Sequence, residues 1–430
     1  MKISDIKNKI SAGALDSALK CECSVSEDKI LSERERYINA ADKFKEIYGE
    51  TDGVRIFSVG GRSEISGNHT DHNHGRVIAA SVNLDILAVA VPTDDSTVRI
   101  KSEGFPEDVV DEKLCAATSA ELFYTSKSII AGMQRAFLDA GYKIGGFNAY
   151  TVSNVLKGSG LSSSAAFEVM VGNILNYLYN DGNVSNTEIA KMAQFAENKY
   201  FGKPCGLMDQ TACAVGGFIA IDFEDPASPV IESIDFDMTK AGYSLCIVNT
   251  GGNHADLNED YASVPSEMKS VAQIFGRDVL RGITSDELIT RAADIRTKAG
   301  DRAFLRAMHF TAENERVAAQ ADALRQGDID AFFDGVRNSG NSSFKYLQNV
   351  YTTKNVAEQG LSLALCITEN YLAEKRAACR VHGGGFAGTI QAFIPIADTD
   401  EYKSLMDSVF GKGACYALSI RRAGAIELKL

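Results

Sequence analysis

Residues 61–75 read Gly-Arg-Ser-Glu-Ile-Ser-Gly-Asn-His-Thr-Asp-His-Asn-His-Gly. This run gathers an arginine, three histidines, an aspartate and glycine breakers between two apolar segments. Val54, Ile56, Phe57 and Val59 come before it, and Val77, Ile78, Val82, Leu84, Ile86, Leu87 and Val89 come after it. The pattern predicts a strand, a polar turn and a second strand, with binding groups displayed on a rigid scaffold.

Outward from this knot, residues 54–59 and 77–101 predict strands, with a turn at Pro92–Ser96. Residues 112–141, 163–180 and 186–200 predict helices, and 146–155 a strand. Strand patterns return at Phe218, Ile219 and Ile221, then at Tyr243, Leu245, Ile247 and Val248. Between them, 223–240 is rich in turn residues and marks the expected domain boundary. The second half reads as helices at 263–276, 285–299, 301–327, 329–336 and 353–377, closing with strands at 388–395 and 414–421. Residues 1–50 predict helices. Ser24 has Glu27 at capping-box spacing, and Ser26 is a second cap candidate. The expected organisation is an N-terminal helical extension over 1–35, a first domain over 36–230 and a second over 231–430. Strands and helices mix without regular βαβ alternation, so the fold class is α+β.

The length of 430 residues exceeds a usual single core and implies two domains. A net charge of −13 without a basic block argues against nucleic acid or an anionic membrane as main partner. No apolar run reaches a membrane-spanning length. Met1–Leu15 lacks the continuous apolar core of a signal peptide. The nine cysteines are scattered and odd in number, which suits reduced thiols in a cytoplasmic protein.

A second motif, Lys157-Gly-Ser-Gly-Leu-Ser-Ser-Ser-Ala-Ala, stands between a strand and a helix. Gly158 and Gly160 allow close backbone approach. Ser159, Leu161, Ser162, Ser163 and Ser164 lead into the helix, whose free N–H groups and dipole suit phosphate. A hydroxyl there can ligate Mg²⁺. The loop is not of the Walker type, because no Gly-Lys-Ser/Thr ends it. Asp209 lies in Gly202-Lys-Pro-Cys-Gly-Leu-Met-Asp-Gln, a polar island after the helix carrying Glu197. A glycine run, Gly383-Gly-Gly-Phe-Ala-Gly, fits either a second backbone surface near a nucleotide or a tight turn. His69, His72 and His74 also admit a metal reading.

Gly61–Gly75, Gly158–Ala165, Cys205–Gln210 and Gly383–Gly388 together resemble, in order and spacing, the motifs of the galactokinases among the GHMP kinases. The resemblance runs from about residue 40 onward. It takes in Asn249–Tyr261, similar to the family's sugar-contacting segment, and Asn338–Tyr351. It implies a two-domain GHMP kinase fold, with a ribosomal-protein S5 domain-2-like N-terminal domain and a GHMP C-terminal domain. ATP and a sugar would meet between them, the chain acting as a monomer or weak oligomer. By the resemblance Asp209 is the catalytic aspartate with Arg62 beside it. Ser164 and Glu197 are Mg²⁺ ligands. Gly158, Ser159, Gly160, Leu161, Ser162, Ser163 and Ser164 hold the nucleotide. Asn68, His69, Thr70, Asp71, Gly206, Asp209 and Tyr261 hold the sugar.

The chain departs from the family signature Gly-Arg-Val-Asn-Leu-Ile-Gly-Glu-His-Thr-Asp-Tyr-Asn at two linked places. Glu64 stands where Asn is usual, and Asn68 where Glu is usual. On a helical turn the two would share a face and both stay near the sugar. Otherwise the pocket has lost an anionic acceptor and would suit galacturonate or arabinose. Gly60 and Leu156 also replace prolines, and Ala387 a glycine. The implied activity is phosphorylation of galactose at the anomeric hydroxyl. The competing readings are a related sugar as substrate, a non-enzymatic sugar sensor, and another GHMP kinase. Intact Arg62, Asp209 and Ser162–Ala165 favour an enzyme. The His-Thr-Asp of 69–71 and Cys205–Gln210 disfavour mevalonate or homoserine kinases.

Overall fold

β1 (Arg55–Ser66) and β2 (Arg76–Pro92) pair antiparallel along most of their length, from Arg55 opposite Ala90 to Ser66 opposite Ile78. They are the spine of a computed structural model that describes residues 1–116, 120–155, 160–252 and 257–430. The first sheet adds β3 (Val98–Ser102), β4 (Glu107–Val110), β5 (Phe147–Ser153), β6 (Phe218–Asp222) and β7 (Val230–Ile234). The second sheet holds β8 (Tyr243–Asn249), β9 (Ala378–His382), β10 (Thr389–Pro395) and β11 (Cys415–Leu418), in the order β11-β8-β10-β9. The chain then returns to the first sheet. β12 (Ile426–Leu428) pairs with the outer side of β1, Ile56 opposite Leu428.

Sheet one is covered on both faces, so its central strands read as apolar runs rather than strict alternations. On one face lie helices Ser126–Asp139, Ser163–Tyr179, Asn186–Phe195 and Met208–Val215. On the other, Ile3, Ile6, Ile10, Leu19, Tyr37 and Phe44 pack on Ile56, Leu87, Val89 and Leu428. Burying a side chain such as Phe44 contributes about 1.5–3 kcal/mol. The largest apolar cluster continues from Phe57, Val59 and Ile78 through Leu245, Phe332, Phe333 and Phe393, so the two sheets share a core.

Several expectations change at this level. β1 does not end near residue 59 but runs on to Ser66, because the polar residues of its second half find buried partners. Glu64 is therefore a strand residue, and 64–68 form no helical turn. The helix Ile30–Tyr48 passes straight through residue 35, and the 223–240 connection contains β7, hydrogen-bonded to β6. β7 was hidden because Val230–Glu232–Ser233 is largely exposed at a sheet edge. The Ser24–Glu27 capping box does not form. Ser24 is left-handed (φ 54°), and Ser26 precedes a 3₁₀ turn without a side-chain cap bond. Gly60 is required where the family has proline: a Cβ there would lie 2.5 Å from Ser81 Oγ.

Candidate active site

Arg62 and Asp209 come from opposite layers. Arg62 sits on β1, and Asp209 in the first turn of the helix Met208–Val215. Their contact is bidentate, Nε donating to Oδ1 at 2.7 Å and Nη2 to Oδ2 at 2.6 Å. Ser162 Oγ also donates to Oδ2, and Arg62 Nη1 to the Gly160 carbonyl. Burial pushes the Asp209 carboxyl up. The Arg62 charge and hydrogen bonds, with Ser162, outweigh it and hold the group below its usual range.

The serine loop is pinned to β1 by backbone as well, Arg62 N donating to Leu161 O at 3.1 Å. That approach needs Gly61, since a Cβ there would stand 2.8 Å from the same carbonyl. Ser162 precedes the helix Ser163–Tyr179 in a left-handed conformation (φ 54°) and spends its hydroxyl on Asp209 rather than on a cap. The first N–H groups of this 17-residue helix thus receive no side-chain cap from Ser162, and the helix start can meet an anion beside the carboxylate. Gly158 and Ser159 lie outside the described residues.

Beside this helix start opens a cavity of ≈ 970 Å³, lined by Phe105, Leu122, Ile129 and Phe167 together with Ser163, Ser164 and Glu168. Its apolar walls suit a purine, and its serine end suits phosphates. Glu197 sits on a π-helical turn, Ala196–Phe201, which turns it inward to 4% exposure. It accepts from Lys203 Nζ at 3.1 Å and from Gln210 Nε2 at 2.7 Å. The same Gln210 amide donates to Glu168 at 3.1 Å, so one glutamine ties two buried carboxylates. Burial and the Glu197 charge push Glu168 up to about 8, and its Oε1 has no partner among the described residues. Sequence reasoning missed Glu168. The available signal was an acid inside the apolar stretch Ala165–Ile174.

The remaining signature residues divide into two groups. Asp71 keeps 30% exposure, and a Cβ on Gly206 would lie 3.4 Å from its Oδ2, so these two face each other. His69 (φ 58°) reaches the Gly384 carbonyl through Nε2 at 2.8 Å, and Tyr261 donates to the Gly385 carbonyl at 2.8 Å. The glycine run Gly383–Gly388 therefore abuts the His-Thr-Asp signature. Its preceding residue, His382, bonds Ser63 Oγ at 3.0 Å and lies against Gly160. Thr70 and Asn68 are fully buried. Thr70 Oγ1 is spent on the carbonyls of Gly67 and Arg76, bracing the turn. Among the described residues no group of three or more His, Cys, Asp or Glu side chains is placed to hold a metal, so His69, His72 and His74 form no such centre. Of the sugar-like segment, 253–256 lie outside the described residues.

Beneath the signature lies a buried polar network. Arg380 donates to Glu64 Oε1 at 2.6 Å and to Ser339 Oγ at 2.8 Å, with Glu313 at 3.6 Å. Glu313 also accepts from Ser339 Oγ at 2.6 Å and the Gly67 N–H at 3.3 Å, and pairs with Arg316. His309 Nε2 must donate to the Asn68 carbonyl (3.0 Å), leaving Nδ1 to accept from Ser342 (2.9 Å). Burial lowers His309 to about 4 and His382 to about 3. Both lie below the ordinary histidine value, so the unfolded chain takes up these protons first. Stability is full above about pH 6.5 and falls below it by about 1.4 kcal/mol per pH unit per histidine. The urea midpoint is expected to drop between pH 7.5 and 5.5. A flat midpoint would contradict two buried neutral rings.

The galactokinase galactose-binding signature model matches residues 42–92, and the GHMP kinases N-terminal domain model matches 127–217. A galactokinase of Streptomyces coelicolor is 28% identical over 86% of this chain and 92% of its own length. One of Actinobacillus pleuropneumoniae is 29% identical over 87% and 93%. The crystal structure of Lactococcus lactis galactokinase complexed with galactose shares the fold, with a TM-score of 0.74 at 24% identity over 90% of this chain and 98% of that one. The chain carries the galactokinase galactose-binding signature and a GHMP kinases N-terminal domain, and over most of its length it is similar to galactokinases. The chain is an ATP-dependent sugar kinase of two-domain α+β fold. No helix among the described residues is long and apolar enough to cross a membrane.

Proposed function

We propose that this kinase transfers the γ-phosphoryl group of ATP to the anomeric hydroxyl of galactose, giving galactose 1-phosphate, in the cytoplasm and as a monomer or weak oligomer. The observation that carries the reading is the bidentate Arg62–Asp209 pair, closed by Ser162 at the phosphate loop and next to the galactose-signature turn. ATP would lie with its base in the ≈ 970 Å³ cavity and its phosphates across Gly160–Ser164.

Asp209 Oδ2 is filled by Arg62 and Ser162, but Oδ1 accepts only from Arg62 Nε, so it can take a hydrogen bond from the sugar's anomeric O–H. Its low pKa makes it a weak base. Its contribution is to orient the nucleophile and receive the proton late, which suits a loose phosphoryl-transfer transition state. The guanidinium has N–H groups left to steady the transferring phosphoryl. Asp71, His69, Tyr261 and Gly206 would bound the sugar.

Mg²⁺ fits the donor set here. Ser164 and Glu197 would hold it, with Glu168 beside them. An unpartnered carboxylate oxygen raised by burial is what a hard divalent cation would satisfy. When bound, the ion would neutralise phosphate charge. Ser164→Ala is expected to raise the Mg²⁺ concentration for half-maximal rate several-fold, read by titration at saturating ATP; an unchanged titration removes Ser164 from the ligands. The decisive experiment for the function is ATP consumption across galactose, galacturonate, arabinose, talose and N-acetylgalactosamine. Galactose is expected to lead, and no turnover with any of them would overturn the reading.

A further inference from the structure

The Glu64/Asn68 exchange has a geometric resolution. Asn68 has no exposed surface and no spare hydrogen-bonding capacity. Its amide donates to Glu64 Oε1 at 3.1 Å and to the Gly383 carbonyl at 2.6 Å. Its carbonyl accepts from Asn349 Nδ2 at 2.6 Å and Ser343 Oγ at 3.4 Å. Two donors and two lone pairs are all such a side chain has. Nothing remains for a sugar.

Glu64 is in the opposite condition. It stands two residues beyond Arg62 on β1, in regular register (Arg62 opposite Ser81, Glu64 opposite Ala79), so both side chains leave the same face. Its Oε1 is used by Arg380 and Asn68. Its Oε2 takes no hydrogen bond from a described residue, and the side chain retains 12% exposure. Two residues of strand advance about 7 Å, close to the reach of a hexopyranose from its anomeric oxygen to its C6 hydroxyl.

We propose that Glu64, and not Asn68, accepts the C6 hydroxyl of the sugar through Oε2, and so selects a neutral hexose against a hexuronate. This rests on the sugar-kinase reading. The anionic acceptor has moved from the turn to the strand, and Arg380 and Asn68 aim it. A C6 carboxylate would face Glu64 directly, and like charges at such a distance reject a ligand strongly.

The test compares galactose, 6-deoxygalactose and galacturonate on the full-length wild type and on Glu64→Gln. Wild type is expected to lose about ten- to hundredfold in kcat/KM on removing the C6 hydroxyl, and at least about a hundredfold with galacturonate. Glu64→Gln keeps an oxygen for Arg380 and Asn68. It is expected to raise the galactose KM more than it lowers kcat, to shrink the 6-deoxy penalty to within about threefold, and to raise galacturonate turnover in absolute terms. A merely structural role would not raise any rate. A folded variant that keeps the wild-type ratios overturns the proposal. So does a wild type that uses galacturonate or 6-deoxygalactose as well as galactose, and this arm decides alone if the variant does not fold. A wild type that phosphorylates no sugar overturns the kinase reading itself.

Discussion

Asp209→Asn is expected to lose about 10³-fold or more in kcat, with galactose and ATP still binding within a few-fold of wild type. Asparagine keeps the shape but turns one of the two acceptor positions into a donor facing Arg62 or Ser162. On the proposed mechanism nothing then accepts the anomeric proton, and Arg62 is left without its counter-charge. A thousandfold loss is about 4 kcal/mol of transition-state stabilisation. Calorimetric binding of each substrate and single-turnover phosphate transfer separate the two effects. Near-normal turnover would remove Asp209 from the chemistry. Loss of both bindings would make its role structural.

Arg380→Met is expected to give the largest loss of stability. Arg380 is fully buried between Glu64 and Glu313, and its removal leaves Glu64 without a cation and Glu313 with Arg316 alone. Breaking a buried ionic cluster from one side costs about 3–5 kcal/mol. The thermal midpoint should fall by well over the scatter of surface variants. Adding Glu313→Gln should recover part of the loss, because the two changes act on one network. An unchanged midpoint for Arg380→Met would show that the carboxylates are satisfied without it. Glu313, itself held below its usual range, contributes stability that is present above about pH 4.5 and lost as pH falls through its lowered value.

The parts of this enzyme legible in the sequence were those whose chemistry is local. The helix Ser163–Tyr179 and Asp209 could be read because each motif carries its own glycines, hydroxyls and charge within ten residues. What long-range contacts decide was not legible. The second half of β1 read as part of a polar turn because Ser63, Glu64 and Ser66 are polar. They are buried because His382, Arg380 and Gln320, more than 250 residues away, meet them. The family resemblance could locate the Glu64/Asn68 exchange, but only the partners of each side chain distinguish a saturated amide from an open carboxylate. Glu168 escaped notice for the same reason, since its neighbours Glu197 and Gln210 come from other helices.

The pairing of β12 with β1 has a consequence for synthesis. Ile56 waits for Leu428, and the Arg55 guanidinium for Glu427, 372 positions further along. During translation the outer side of β1 therefore stays an open strand edge while the whole second sheet is being made. A ribosome paused anywhere between residues 250 and 420 carries a nascent chain with a ready template for pairing with its neighbours. Aggregation of truncated chains, rather than of the finished enzyme, is where this protein is most exposed.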